Sequence, residues 1–184
     1  MKKKSIGFRL VESLLLIGAA DLAAILVKFL LQMVTVPIRQ ELTARGDLDA
    51  LAAVNALLAA LCLASFLGLL AVLVALNPIY KGNYLNRTFG QEYRFGADLA
   101  QTAGSRSLAD LCAAALFGLP MYAVLLIWGD INYLPTLFAP FYAMWELTDN
   151  AVISFIAMSL LIPLWLALVS VLSHRSWDKH RLRK

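Results

Sequence analysis

The chain has 184 residues, of which 61% are hydrophobic and 15% charged, with a net charge of +4 and a mean hydropathy of +0.74. Soluble domains carry charge on about a quarter of their residues, so this composition excludes an ordinary water-soluble fold and implies an integral membrane protein. Four apolar stretches, near 13–36, 51–76, 108–129 and 151–173, reach the roughly 20 residues that cross a hydrocarbon core as helix.

The expected architecture is a single transmembrane domain over residues 1–184, an all-α four-helix bundle whose orientation follows from its cations. The N-terminal segment has Lys2, Lys3, Lys4 and Arg9, the loop over 77–107 has Lys81, Arg87, Arg94 and Arg106, and the tail has Arg175, Lys179, Arg181, Arg183 and Lys184. The opposite side has Arg39 and Arg45, and its second loop offers Asp130, Glu146 and Asp149. Both termini and the 77–107 loop are therefore expected in the cytoplasm. The net positive charge reads as attraction to anionic headgroups on that side of the bilayer, with no nucleic-acid partner. Gly18-Ala19-Ala20 offers a small-residue cleavage site, but the apolar run continues to Val36, longer than a signal-peptide core, which favours a retained anchor.

The first span carries the polar signal. At 100° per residue Asp21, Lys28, Gln32 and Thr35 fall within a band of roughly 60° on an otherwise apolar helix. A charge at mid-bilayer costs about 2.5 kcal/mol or more, so this face is expected against protein or a wet cavity. Asp21 and Lys28 lie about 10 Å apart along the axis and cannot touch within the helix. The functional reading is an ion or proton site; the simpler one is that Asp21 bonds to neighbouring helices while Lys28 reaches for the outer headgroups.

Pro37 is expected to end this helix, followed by a solvated loop over 38–50 in which Asp47 or Asp49 caps the second span. In that span Ala52, Ala56, Ala60, Ala64 and Gly68 recur every fourth residue. Such a face suits close packing, read first as intramolecular contact and second as an oligomer seam. Asn55 and Ser65 are placed to bond with the polar face of the first span. Asn77-Pro78 is expected to stop the helix, and the aromatic, basic loop beyond it to lie at headgroup level or to bind a partner.

The third span has Asp110 near its start, where a carboxylate complements the helix N-terminus. Gly118 and Pro120 here, and Pro163 in the fourth span, mark expected kinks; a midplane cavity is one consequence, ordinary membrane-helix usage the other. Leu134 to Leu147 is too short to span and is expected as a short interfacial helix. Cys62 and Cys112 both fall inside spans as small apolar residues, with no metal set available. No Ser/His, paired-aspartate or Cys/His arrangement points to an enzyme, and no cofactor is indicated.

Arg9 before the first span, Asp21 within it, Gly82-Asn83-Tyr84-Leu85-Asn86-Arg87 after the second and Asp178 in Arg175-Ser176-Trp177-Asp178-Lys179 make an ordered set. In this order the chain resembles the RDD family of small bacterial membrane proteins, named for one arginine and two aspartates. The loop is similar to that family's Gly-x-Thr-x-Gly-Lys segment, with Asn86 in place of a glycine and Arg9 farther from Asp21 than in the pattern. The resemblance implies a transport-associated protein of the bacterial cytoplasmic membrane, with ion antiport among its proposed activities and Arg9, Asp21 and Asp178 as site residues. From the residues themselves the candidate ion, proton or helix-partner site is Asp21, Lys28, Gln32, Asn55 and Asp110. The alternative function is a non-catalytic accessory or scaffolding subunit, partnered by another membrane protein or by further copies of the chain.

Overall fold

The computed structural model describes residues 6–89, 108–120, 122–123 and 138–181, with side chains to Asn77 on the second helix and to Ser173 on the last. Five helices lie within these residues: α1 (Ile6–Arg45), α2 (Leu48–Phe89), α3 (Leu108–Pro120), α4 (Ala139–Thr148) and α5 (Ala151–Arg181). The described chain is all-α. Three helices are long and apolar enough to cross a membrane, with spans at Arg9–Arg45, Leu48–Asn77 and Ala151–Ser173. The remainder of the expected third span, beyond Ala123, lies outside the described residues.

The first two helices overrun their expected ends. α1 has 40 residues and α2 has 42, so each is about 60 Å long, twice the thickness of a hydrocarbon core. Pro37 does not end α1, because a proline removes a single N–H bond and Ile38–Arg45 is rich in good helix formers. The Thr43 hydroxyl adds a bond to the Arg39 carbonyl (2.8 Å). The break comes instead at Gly46, whose φ of +70° suits glycine, with Asp47 N–H bonded to Leu42 O and Gly46 N–H to Thr43 O, both at 3.1 Å. Asp47 then caps α2 by accepting the Ala50 N–H at 3.1 Å, as its position suggests. The expected stop at Asn77-Pro78 is likewise overrun, since α2 continues to Phe89. The residues expected as a 38–50 loop are thus mostly helix, and the 77–107 loop is helical for its first part.

Bulky apolar side chains from all five helices form the core. Ile17, Phe66, Leu70, Phe141, Met158, Ile162 and Leu166 are essentially inaccessible. Leu15, Leu22, Leu26, Leu30 and Val34 on the outside of α1 are between 62% and 72% exposed. An apolar face of that length suits acyl chains and not water. α2 turns its large residues inward, which leaves Ala52, Ala56, Ala60, Ala64 and Gly68 all exposed. The intramolecular packing expected of this small-residue face is absent among the described residues, because Cys62, Phe66, Leu70 and Val74 bury more surface from the opposite side.

α4 differs most from its expectation. It is short, as expected, and its first half packs into the core through Ala139, Pro140, Phe141 and Ala143, while Glu146 and Leu147 near its end are exposed. Pro140 fits the first turn, where no intrahelical N–H bond is lost. The helix ends at Asp149, in a left-handed conformation with its N–H on Trp145 O (2.8 Å). Asn150 then caps α5 by accepting the N–H groups of Val152 and Ile153, each at 3.0 Å. Tyr122 and Ser154 share a buried hydrogen bond, and the Trp165 indole donates to Leu67 O at 2.9 Å, tying α5 to its neighbours. Pro163 sits within α5 without ending it.

Candidate functional site

Asp21 is 3% exposed on the core side of α1. The backbone N–H of Ala139, the first residue of α4, faces its carboxylate, and a positive helix end favours an anion there. Its Oδ1 is enclosed and has no hydrogen-bond partner among the described protein atoms. The contacts fix how α4 runs: Ala139 lies at Asp21, Tyr142 at Lys28, and Glu146 on the pocket that also holds Arg39. α4 therefore starts beside the buried aspartate and runs parallel to α1 toward its Arg39 end. Its ten residues cover about 15 Å, half a hydrocarbon core.

Phenylalanines close the side of this junction that faces the N-terminal end of α1. Phe117 meets Phe138 edge to face with centroids 5.6 Å apart and lies 6.0 Å from Phe141. The expected kink residue Gly118 opens no cavity here. A Cβ on it would stand 2.5 Å from the Phe141 ring, so glycine lets α3 and α4 touch.

The cavity lies about two to five turns farther along the same face of α1. It has a volume of about 140 Å³ and is walled by α1, α2 and α4. Lys28, Gln32 and Arg39 come from α1, Asn55 from α2, and Tyr142 and Glu146 from α4, over a floor that includes buried Cys62. The Lys28 ammonium lies 4.3 Å from the centre of the Tyr142 ring, a cation–π contact. Glu146 is exposed at the rim. Even so, the protein packed around it raises its carboxyl above the ordinary carboxylate range, while Lys28 and then Arg39 pull the other way.

Of the sequence candidates, the fold brings Lys28, Gln32 and Asn55 together and seats Asp21 just below them. Thr35 turns back on its own helix, its hydroxyl bonded to Leu31 O at 2.9 Å. Arg39, Tyr142 and Glu146 are pocket residues that the sequence reading did not select. Arg39 was within reach of it: at 100° per residue it has the same angular position as Asp21. The expected stop at Pro37 hid it.

Asp110 belongs elsewhere. It is 4% exposed and accepts a buried hydrogen bond from the Ser13 hydroxyl, linking α3 to α1. Ser13 lies eight residues before Asp21, about 12 Å along the axis, so Asp110 and Asp21 occupy different levels. Glu12 on the same turn accepts the Asn77 amide at 2.7 Å, and Arg9, one turn earlier, is 7% exposed. Together these residues form a second polar layer at the end of α1 expected in the cytoplasm.

The Gly82–Arg87 and Asp178 side chains lie outside the described side chains, so of the RDD-like set only Arg9 and Asp21 are placed. Ser65 is half-buried. Cys62 is buried as expected, whereas Cys112 is exposed on the outside of α3. Among the described residues no group of three or more His, Cys, Asp or Glu side chains gathers as a metal site. Compared with protein-family models, curated proteins and solved structures, the chain matches none.

Proposed function

We propose that the chain is a transport-associated protein of a bacterial cytoplasmic membrane, with four spans, both ends in the cytoplasm, and an ion or proton path along the polar face of α1. This reading keeps the span expected over 108–129, which makes the number of spans even and the basic terminal segments lie on one side. Asp21 is the centre of the path. The observation that carries the reading is a carboxylate enclosed in an apolar helix, one oxygen lacking a partner, directly beneath an open polar pocket. Intramembrane carboxylates of this kind mark ion pathways and proton relays, which makes Asp21 a functional candidate.

In this reading each residue has a role. The pocket residues Lys28, Gln32 and Asn55 connect Asp21 to the outer side, with Lys28 setting which charges reach it. The Ala139 amide steadies the aspartate on α4, and the phenylalanine cluster separates it from the Ser13–Asp110 layer. The RDD-like pattern agrees with a role for Asp21. The test is proton movement in everted vesicles on addition of sodium or potassium. A cation-linked signal in the wild type that disappears in Asp21→Asn at matched expression supports translocation; equal signals in both remove it.

A second reading, an accessory subunit without transport of its own, draws on the exposed small-residue face of α2. Faces of this kind allow helices from another chain to approach closely in lipid. Under this reading Ala60→Leu frees a stoichiometric partner, or a second copy, from complexes isolated in mild detergent. Solitary monomers from both wild type and variant count against it.

A further inference from the structure

We propose that the pocket at the Arg39 end of α1 is a binding site for a small oxyanion, a carboxylate or phosphate group, held between Lys28 and Arg39. The proposal goes beyond ion or proton movement at Asp21 and stands without it. The lining sets the sign of the ligand. Within the lining Lys28 and Arg39 bring two cations against the carboxylate of Glu146, which stands at the exposed rim; Asp21, coupled to Lys28, is enclosed beneath the lining and not part of it. A cation entering this pocket meets two like charges; an anion meets two opposite ones.

The remaining lining suits the same ligand. The Arg39 guanidinium supplies the planar fork that matches a carboxylate or phosphate, and the Lys28 ammonium supplies a compact charge. Gln32 and Asn55 present side-chain amides whose NH2 groups donate to anionic oxygen. Tyr142 sets its ring against Lys28, which orients the ammonium and leaves that aromatic face engaged by protein. The floor at Ala59, Cys62 and Ala143 is small and closed, so about 140 Å³ admits a compact group and not a bulky one.

Two sources offer this chemistry, a dissolved small acid and the phosphate of a lipid headgroup, because the pocket opens near the outer end of the spans. The test uses acetate labelled with 13C at its carboxyl carbon, titrated into the purified full chain in dodecyl maltoside, with binding read from NMR line broadening. Saturable broadening is expected, weakened about fivefold by Lys28→Met or Arg39→Gln. At a pH where the wild-type Glu146 carboxylate is ionised, Glu146→Gln removes the opposing charge at an exposed position and should tighten binding about threefold, a gain that misfolding cannot produce. Short-chain phosphatidylglycerol that displaces acetate assigns the oxyanion to a headgroup, and acetate that survives it assigns a free solute; both agree with the proposal. An absence of saturable broadening overturns it, as does broadening indifferent to Lys28 and Arg39, or a Glu146→Gln affinity equal to or below wild type.

Discussion

The two ends of α1 handle polar side chains in opposite ways. At the Arg9 end, Ser13 donates to Asp110 and Asn77 to Glu12, with Arg9 and Asp110 buried beside them. At the Arg39 end, Lys28, Gln32, Asn55, Tyr142 and Glu146 surround a cavity instead of filling it. Groups that pair and close across helices fix the relative positions of α1, α2 and α3. Groups that converge on a space are placed for something that enters. Asp21 lies between the two layers and, through Ala139, is tied to the helix that builds the pocket wall.

The contrast can be broken from either end. Asp110→Ala strands the buried Ser13 hydroxyl and is expected to cost about 2–3 kcal/mol, seen as a lower unfolding midpoint in mixed detergent, while acetate binding by the folded fraction stays intact. Gly118→Leu forces a side chain into the Phe141 ring, which is fully buried and has little room to move. That change should cost about 1–3 kcal/mol by the same measurement. Unchanged stability in both variants would mean that the inner layer is not what holds the helices.

Asn77→Ala removes a single half-buried bond to Glu12 and should cost about 1 kcal/mol. Glu146→Gln should change stability by less than about 0.5 kcal/mol, as for most exposed positions, yet alter the pH dependence of the pocket. Its carboxyl is held above the ordinary range, so it stays protonated over the interval between that range and its raised value. In that interval the rim carboxyl adds no negative charge to the Lys28 and Arg39 side of the pocket. As pH climbs through the raised value Glu146 ionises and acetate should bind more weakly. The other titratable groups facing Glu146 are Lys28 and Arg39 from α1, Cys62 from α2 and Tyr142 from its own helix. A Glu146→Gln variant whose acetate binding lacks the wild-type decline above the ordinary carboxylate range supports the assignment, and one that keeps the wild-type slope contradicts it.

Much of the fold is legible in hydrophobicity alone. The long apolar runs give α1, α2 and α5, and Asp47 caps where its position suggests. The polar face of the first span is legible through Asp21, Lys28 and Gln32 because helical periodicity needs no tertiary information. The errors have physical causes. Pro37 and Pro78 read as breakers by their local cost, but long helices absorb one missing hydrogen bond. That error removed Arg39 from view. The place of α4 was not legible, since a ten-residue apolar helix suits the interface or the interior equally, and its seat depends on Gly118 giving way to Phe141 across a long sequence separation. Tyr142 and Glu146 were missed for the same reason. The outward turn of the alanine face was decided by competition, the larger side chains of α2 taking the interior.

The central claim is that Asp21 is the working group beneath the pocket at the Arg39 end of α1. Its most direct test reconstitutes purified wild-type and Asp21→Asn protein into liposomes loaded with a pH-sensitive dye, imposes a sodium or potassium gradient, and follows internal pH. Proton movement in the wild type that is lost in Asp21→Asn, with Asp110→Asn retaining it, is the result expected. Equal internal pH traces for the wild type and Asp21→Asn would contradict the claim and leave Asp21 as a packing residue between the two polar layers.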